Sequence, residues 1–169
     1  EECFESPGTD FSRGRLITRD EKHGYVFEVP ASESGLADPL PIKAMGRFEH
    51  EACAVHAPSG IVYMTEDRHY SLFYRYIPDF PGRLREGGRL QALAIAGRPA
   101  QQLHNWTGDR AISIGESLAT QWIDLDDVDP VENDLRLRGA AAGAATFARG
   151  EGLCNAGDAF AFTCTIGGR

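Results

Sequence analysis

Short runs of alternating apolar and polar residues, each closed by Gly, Pro, Asp or Asn, recur along this chain and decide most of what it can fold into. They lie at 25–29, 61–65, 72–77, 90–96, 113–114, 121–125 and 160–165. Many short strands at regular intervals build a sandwich, a barrel or a propeller. Glycine (19 residues) and proline (9 residues) supply the turns that such a fold needs. Helix signals are weak. Residues 117–121 read as a turn between strands, and 139–147 as one short Ala-rich helix interrupted by Gly143. Segments 30–41 and 79–88 read as loops, and 61–65 and 160–165 as central strands.

An internal repeat narrows the choice. Residues 51–65 and 151–165 each run from Glu through a turn to a strand ending in Thr. Glu1 stands 50 positions before Glu51, half the spacing between Glu51 and Glu151, although Gln101 at the midpoint breaks the acid series. A period of about 50 residues suits one four-stranded propeller blade. Equivalent positions on successive blades face one channel, so carboxylates there would converge. Converging carboxylates are costly unless cations lie among them.

Composition excludes several classes. The chain has 169 residues, 42% of them hydrophobic, enough for a packed core rather than a disordered tail. No run approaches the roughly 18 apolar residues of a membrane span. The formal net charge of −8 argues against a nucleic-acid partner. It also means that a phosphate site would need metal to invert the local field. Cys3, Cys53, Cys154 and Cys164 form no CxxC pair, so they read first as small buried hydrophobes, with a disulfide or a metal thiolate as the alternatives.

The densest motif is Gly46-Arg47-Phe48-Glu49-His50-Glu51-Ala52, followed by Gly60-Ile61-Val62-Tyr63-Met64-Thr65-Glu66-Asp67. After it come Phe73-Tyr74-Arg75-Tyr76-Ile77-Pro78, Glu86-Gly87-Gly88-Arg89-Leu90-Gln91-Ala92-Leu93, Gly150-Glu151-Gly152 and Thr163-Cys164-Thr165-Ile166-Gly167-Gly168. In this order and spacing the chain resembles the PhoX-type alkaline phosphatases. The opening Glu1-Glu2 is similar to the end of a Cys-Glu-Glu motif whose cysteine would precede residue 1. Cys3 follows the pair and is no substitute for it.

The resemblance implies a multi-bladed β-propeller with oxo-bridged ferric iron and calcium at its axis, held mainly by carboxylates. It implies hydrolysis of phosphate monoesters, with small organic phosphate esters as substrates. It also implies a periplasmic or secreted protein, monomeric at full length. On this reading residues 1–169 are a single all-β domain: a partial propeller of roughly three blades, truncated at both ends and inactive alone. The metal candidates are Glu51 first, then Glu1, Glu2 and Glu151, then Glu66 and Asp67 at a strand end. Hard carboxylate oxygens suit calcium. For each of them a solvated turn carboxylate is the plainer alternative. Arg75 and Arg149 are candidates to grip substrate phosphate in a bidentate fork, with an exposed blade edge as the alternative for Arg75. His50 is a ligand, an orienter of a ligand, or a core histidine. The acidic run at 124–129 lacks the glycine and distal glutamate of an EF-hand and reads as a solvated loop. Two other functions stay open: a calcium-dependent lactonase-type propeller, and a non-catalytic binding module.

Overall fold

The computed structural model describes residues 1–10, 16–106 and 112–167. The strands are β1 (Gly8–Asp10), β2 (Ile17–Arg19), β3 (His50–His56), β4 (Ile61–Glu66), β5 (His69–Ser71), β6 (Phe73–Pro78), β7 (Gly88–Ile95), β8 (Thr120–Asp124), β9 (Phe147–Ala148), β10 (Gly150–Ala156) and β11 (Ala159–Cys164). One α-helix, α1 (Leu135–Ala141), occurs among the described residues, and it is far too short to cross a membrane. The fold is all-β, and its antiparallel sheets are those of partial propeller blades.

The strands divide unequally. β3-β4-β6-β7-β8 form one antiparallel five-stranded meander, while β1-β2, β5-β9 and β10-β11 are two-stranded. The alternation explains the meander. On β4, Val62, Met64 and Glu66 share one buried face, and on β6 Tyr74 and Tyr76 continue it. With Met45, Phe48, Leu90 and Leu135 these side chains make the larger core. The opposite face carries Tyr63, Phe73 and Trp122, and the β10-β11 hairpin lies over it. Tyr63 meets Phe160 at 4.2 Å and Phe73 stacks on Phe162 at 4.5 Å between ring centroids. Such pairs contribute about 0.5–1.5 kcal/mol each beyond their buried area. This aromatic seam presses one blade face onto the next hairpin.

Where the structure departs from the sequence reading, the reasons are local. Segment 25–29 makes only a bridge between Phe27 and Pro41, and 113–114 forms no strand. The run at 160–165 lies in a two-stranded hairpin, whereas 61–65 is interior to the five-stranded sheet. The helix begins at Leu135, earlier than its alanines suggest, and ends before Gly143 with φ 109°. Gly139 sits inside it because a Cβ there would meet Leu72 Cδ1 at 2.5 Å. None of the four cysteines is fully buried, and all are free thiols; Cys53 and Cys154 are exposed on β3 and β10.

Candidate metal centre

The sequence repeat is structural at its acidic end, although Thr163 rather than Thr165 opposes the second bulge. In the β3-β4 hairpin, His50 pairs with Glu66 and Cys53 with Met64, with a register shift between them. In β10-β11, Gly150 pairs with Cys164 and Leu153 with Phe162, again with a shift between them. Two residues therefore oppose one at the same place in each hairpin, and Glu51 and Glu151 are the first bulged residues. Bulges re-aim side chains and recur beside functional sites. The hairpins are pinned together at this point. Thr65 Oγ1 accepts from the Ala52 amide at 3.1 Å and donates to the Glu151 carbonyl at 2.7 Å. Gly150 permits the approach, since a Cβ there would lie 3.1 Å from Thr65 Cβ.

Asp67, Arg149 and Glu2 meet beside the bulges, where the charges of Glu51 and Glu151 also act on Glu2. Asp67 follows β4 and takes a bidentate pair from Arg149, Nε to Oδ1 and Nη2 to Oδ2, both 2.6 Å. The Arg149 hydrogen bond holds the Asp67 carboxyl below its usual range, and Asp67 in turn raises Arg149. Arg149 adopts φ 59°, a strained conformation for a residue with a side chain. Glu2 comes from the N-terminal segment and hydrogen-bonds the Asp67 side chain. Burial, that hydrogen bond and the charges of Glu51, Asp67 and Glu151 all raise its proton affinity. Thr165 Oγ1 donates to Glu151 Oε1. An open cleft of about 300 Å³ borders both Glu51 and Glu1, with Tyr25, His50 and Cys53 in its wall.

Three candidates stand elsewhere. Glu1 accepts from the Gly24 and Tyr25 amides at 3.0 and 3.3 Å and from His23 Nδ1 at 2.9 Å. Burial raises its proton affinity, but these donors outweigh it and leave the carboxyl below its usual range. Glu1 thus anchors the segment that carries Glu2. Glu66 is fully buried beside Asp67, facing the opposite way. Its Oε2 accepts from the Leu72 amide at 3.1 Å and the Tyr74 hydroxyl at 2.9 Å, and burial pushes its pKa up to about 7. Arg75 donates to Gln91 Oε1 at 2.7 Å and covers the Trp122 ring at 4.3 Å, on the aromatic face of the blade. Of the two arginines, only Arg149 reaches the carboxylates.

His50 is a core histidine here. Its Nε2 lies 3.1 Å from the Gly46 carbonyl, its ring stacks on Phe48, and burial lowers its pKa to about 3. The acidic run is less solvated than expected: Asp129 accepts from the Tyr25 hydroxyl at 2.6 Å and pairs with Lys43. Sequence reasoning missed Thr65 and Thr165, although both end the repeated segments and thereby mark the hydroxyls that fix Glu151.

The donors suit a hard cation. Asp67, Glu151 and Glu2 act on one guanidinium, Glu51 acts on Glu2, and the hydrogen bond between Glu2 and Asp67 requires a proton that a cation can replace. Among the described residues no group of three or more His, Cys, Asp or Glu side chains is placed to hold a metal ion by itself. Neither a curated protein nor a solved structure matches the chain. A family model described as alkaline phosphatase PhoX matches residues 4–169, starting just after Cys3. That span holds both bulged hairpins, Asp67 and Arg149, and with it the chain belongs to the PhoX alkaline phosphatase family.

Proposed function

We propose that this chain forms part of the metal-holding wall of a phosphate monoesterase acting on small organic phosphate esters with calcium and ferric iron. The observation that carries this reading is the gathering of Asp67, Glu151 and Glu2 about Arg149, with Glu51 acting on Glu2, in a chain of the PhoX family. Glu51 and Glu151, set by matching bulges, and Asp67 and Glu2, joined by one proton, would hold the cations. The bound ions supply charge neutralisation for the phosphoryl oxygens. Glu2, whose proton affinity its neighbours raise, would give up a proton in holding a cation. Thr165 fixes the rotamer of Glu151. Arg149 commits its Nε–Nη2 edge to Asp67, which leaves its Nη1 side to bind a substrate phosphate oxygen. Glu1 and Glu66 hold the frame rather than the metal.

The family match favours this reading over a lactonase-type propeller or a non-catalytic module. A periplasmic or secreted location and a monomeric full-length protein accompany it. The test is metal content and turnover of the intact protein. Calcium and iron together with hydrolysis of p-nitrophenyl phosphate support the reading. Calcium alone with lactone hydrolysis would replace it with the lactonase-type alternative, and neither activity would leave a binding module.

A further inference from the structure

Among the described residues, Arg47 is the largest fully buried side chain, at 0% exposure. A buried guanidinium is costly unless its donors are satisfied. Its partners are drawn from three separate segments. Nη2 donates to the Glu5 carbonyl at 2.6 Å and Ser6 Oγ at 3.2 Å. Nε donates to the His23 carbonyl at 2.9 Å. Nη1 donates to the Pro130 and Val131 carbonyls at 3.0 and 3.2 Å. The guanidinium also lies over the Phe4 ring, 3.8 Å from its centroid. Among the described residues its hydrogen-bond partners include no carboxylate, so the group serves as a clamp on backbone rather than as half of an ion pair.

Two of the three segments it clamps flank Glu2, and the third, at Pro130 and Val131, ties them to the body of the protein. Phe4, Glu5 and Ser6 follow Glu2 after Cys3. Residue 23 leads into Gly24 and Tyr25, whose amides hold Glu1 on the other side of Glu2. The Glu1 carbonyl in turn accepts from the His50 amide at 3.1 Å, one residue before Glu51. Glu2 is otherwise exposed, on a segment with no strand of its own before Gly8. We infer that Arg47 is a positioning residue that holds the segment around Glu2 and so delivers the Glu2 carboxyl to Asp67, Glu51 and Glu151. This rests on the reading of Glu2 as a metal ligand. Lysine cannot replace it, because one ammonium cannot span five acceptors in a planar fork.

The experiment is a double-mutant cycle in the intact protein, with Arg47→Lys, Glu2→Gln and the pair, read by terbium luminescence titration as a probe of calcium sites. Backbone hydrogen exchange is followed at Gly24, Tyr25 and His50. Both single variants are expected to weaken terbium binding by about tenfold to a hundredfold, with the pair no weaker than the weaker single variant. Exchange at the three amides should quicken in Arg47→Lys and not in Glu2→Gln. If Glu2→Gln leaves terbium binding unchanged, Glu2 is not a ligand, and the role given to Arg47 falls with it. If Glu2→Gln weakens binding but Arg47→Lys adds its own full loss, Glu2 stands as a ligand and Arg47 is overturned. Unchanged exchange in Arg47→Lys also overturns it. Should Arg47→Lys fail to fold, Phe4→Ala removes only the ring beneath the guanidinium and takes its place with the same outcomes.

Discussion

Thr65 Oγ1 and the carbonyl of Glu151 lie 2.7 Å apart although they are 86 positions distant in the chain. The bond joins the two bulges, and the same hydroxyl accepts from Ala52. Thr65→Val keeps the shape but leaves a buried amide and a carbonyl without their partner. We expect a loss of about 1–3 kcal/mol in stability, together with weaker calcium binding because Glu151 is no longer fixed. Differential scanning calorimetry and a calcium titration check this. Unchanged melting would show that the pin is dispensable.

Arg149→Lys keeps the charge and loses the fork. Asp67 then has a point charge in place of two parallel hydrogen bonds, and a phosphate oxygen loses the planar donor. KM for p-nitrophenyl phosphate should rise about tenfold or more, with a smaller change in kcat. An unaltered KM would remove Arg149 from substrate binding. Arg75→Lys serves as the comparison: its contacts with Gln91 and Trp122 are structural, so KM should hold steady.

Glu66 sets a pH dependence of known sign. Its carboxyl is raised from 4.5 to about 7 in the folded protein, so between those values the folded state keeps a proton that the unfolded chain has released. Stability from this group therefore falls as pH rises through that window, by on the order of 3 kcal/mol in all. His50 acts in the opposite sense. Lowered from 6.5 to about 3, it contributes stability that is present above 6.5 and is lost as pH falls towards 3. Glu66→Gln removes the first effect alone. Its melting temperature relative to the wild type should climb between pH 5 and pH 8, measured by calorimetry of the intact protein. Parallel profiles would contradict the account.

Much of the sheet was legible from period-two alternation. The runs at 61–65, 90–96 and 121–125 each fall within a residue or two of β4, β7 and β8. β3 and β10 were not read as strands, because a bulge interrupts the alternation in each and both carry exposed positions along much of their length. The same bulges explain why the Glu51–Glu151 repeat was visible in sequence. Glu66 was legible too: it shares a face with Val62 and Met64, so alternation sends it into the core and Asp67 outward. A strand-end carboxylate suggested exposure only when read without its strand. Glu1 and Glu2 look alike in sequence. What separates them is the set of amides at Gly24 and Tyr25, which only the folded chain brings to Glu1.

The central claim is that the converging carboxylates hold cations for phosphate ester hydrolysis, and Glu51→Gln in the intact protein tests it most directly. The amide keeps the size of the side chain and the bulge, but it is a poorer ligand and leaves the cluster charge unbalanced. Calcium and iron bound per protein should be measured beside p-nitrophenyl phosphate turnover. The account predicts loss of bound calcium and a fall in turnover of at least about a hundredfold, on a protein that melts as the wild type does. Wild-type metal content and turnover in Glu51→Gln would contradict it.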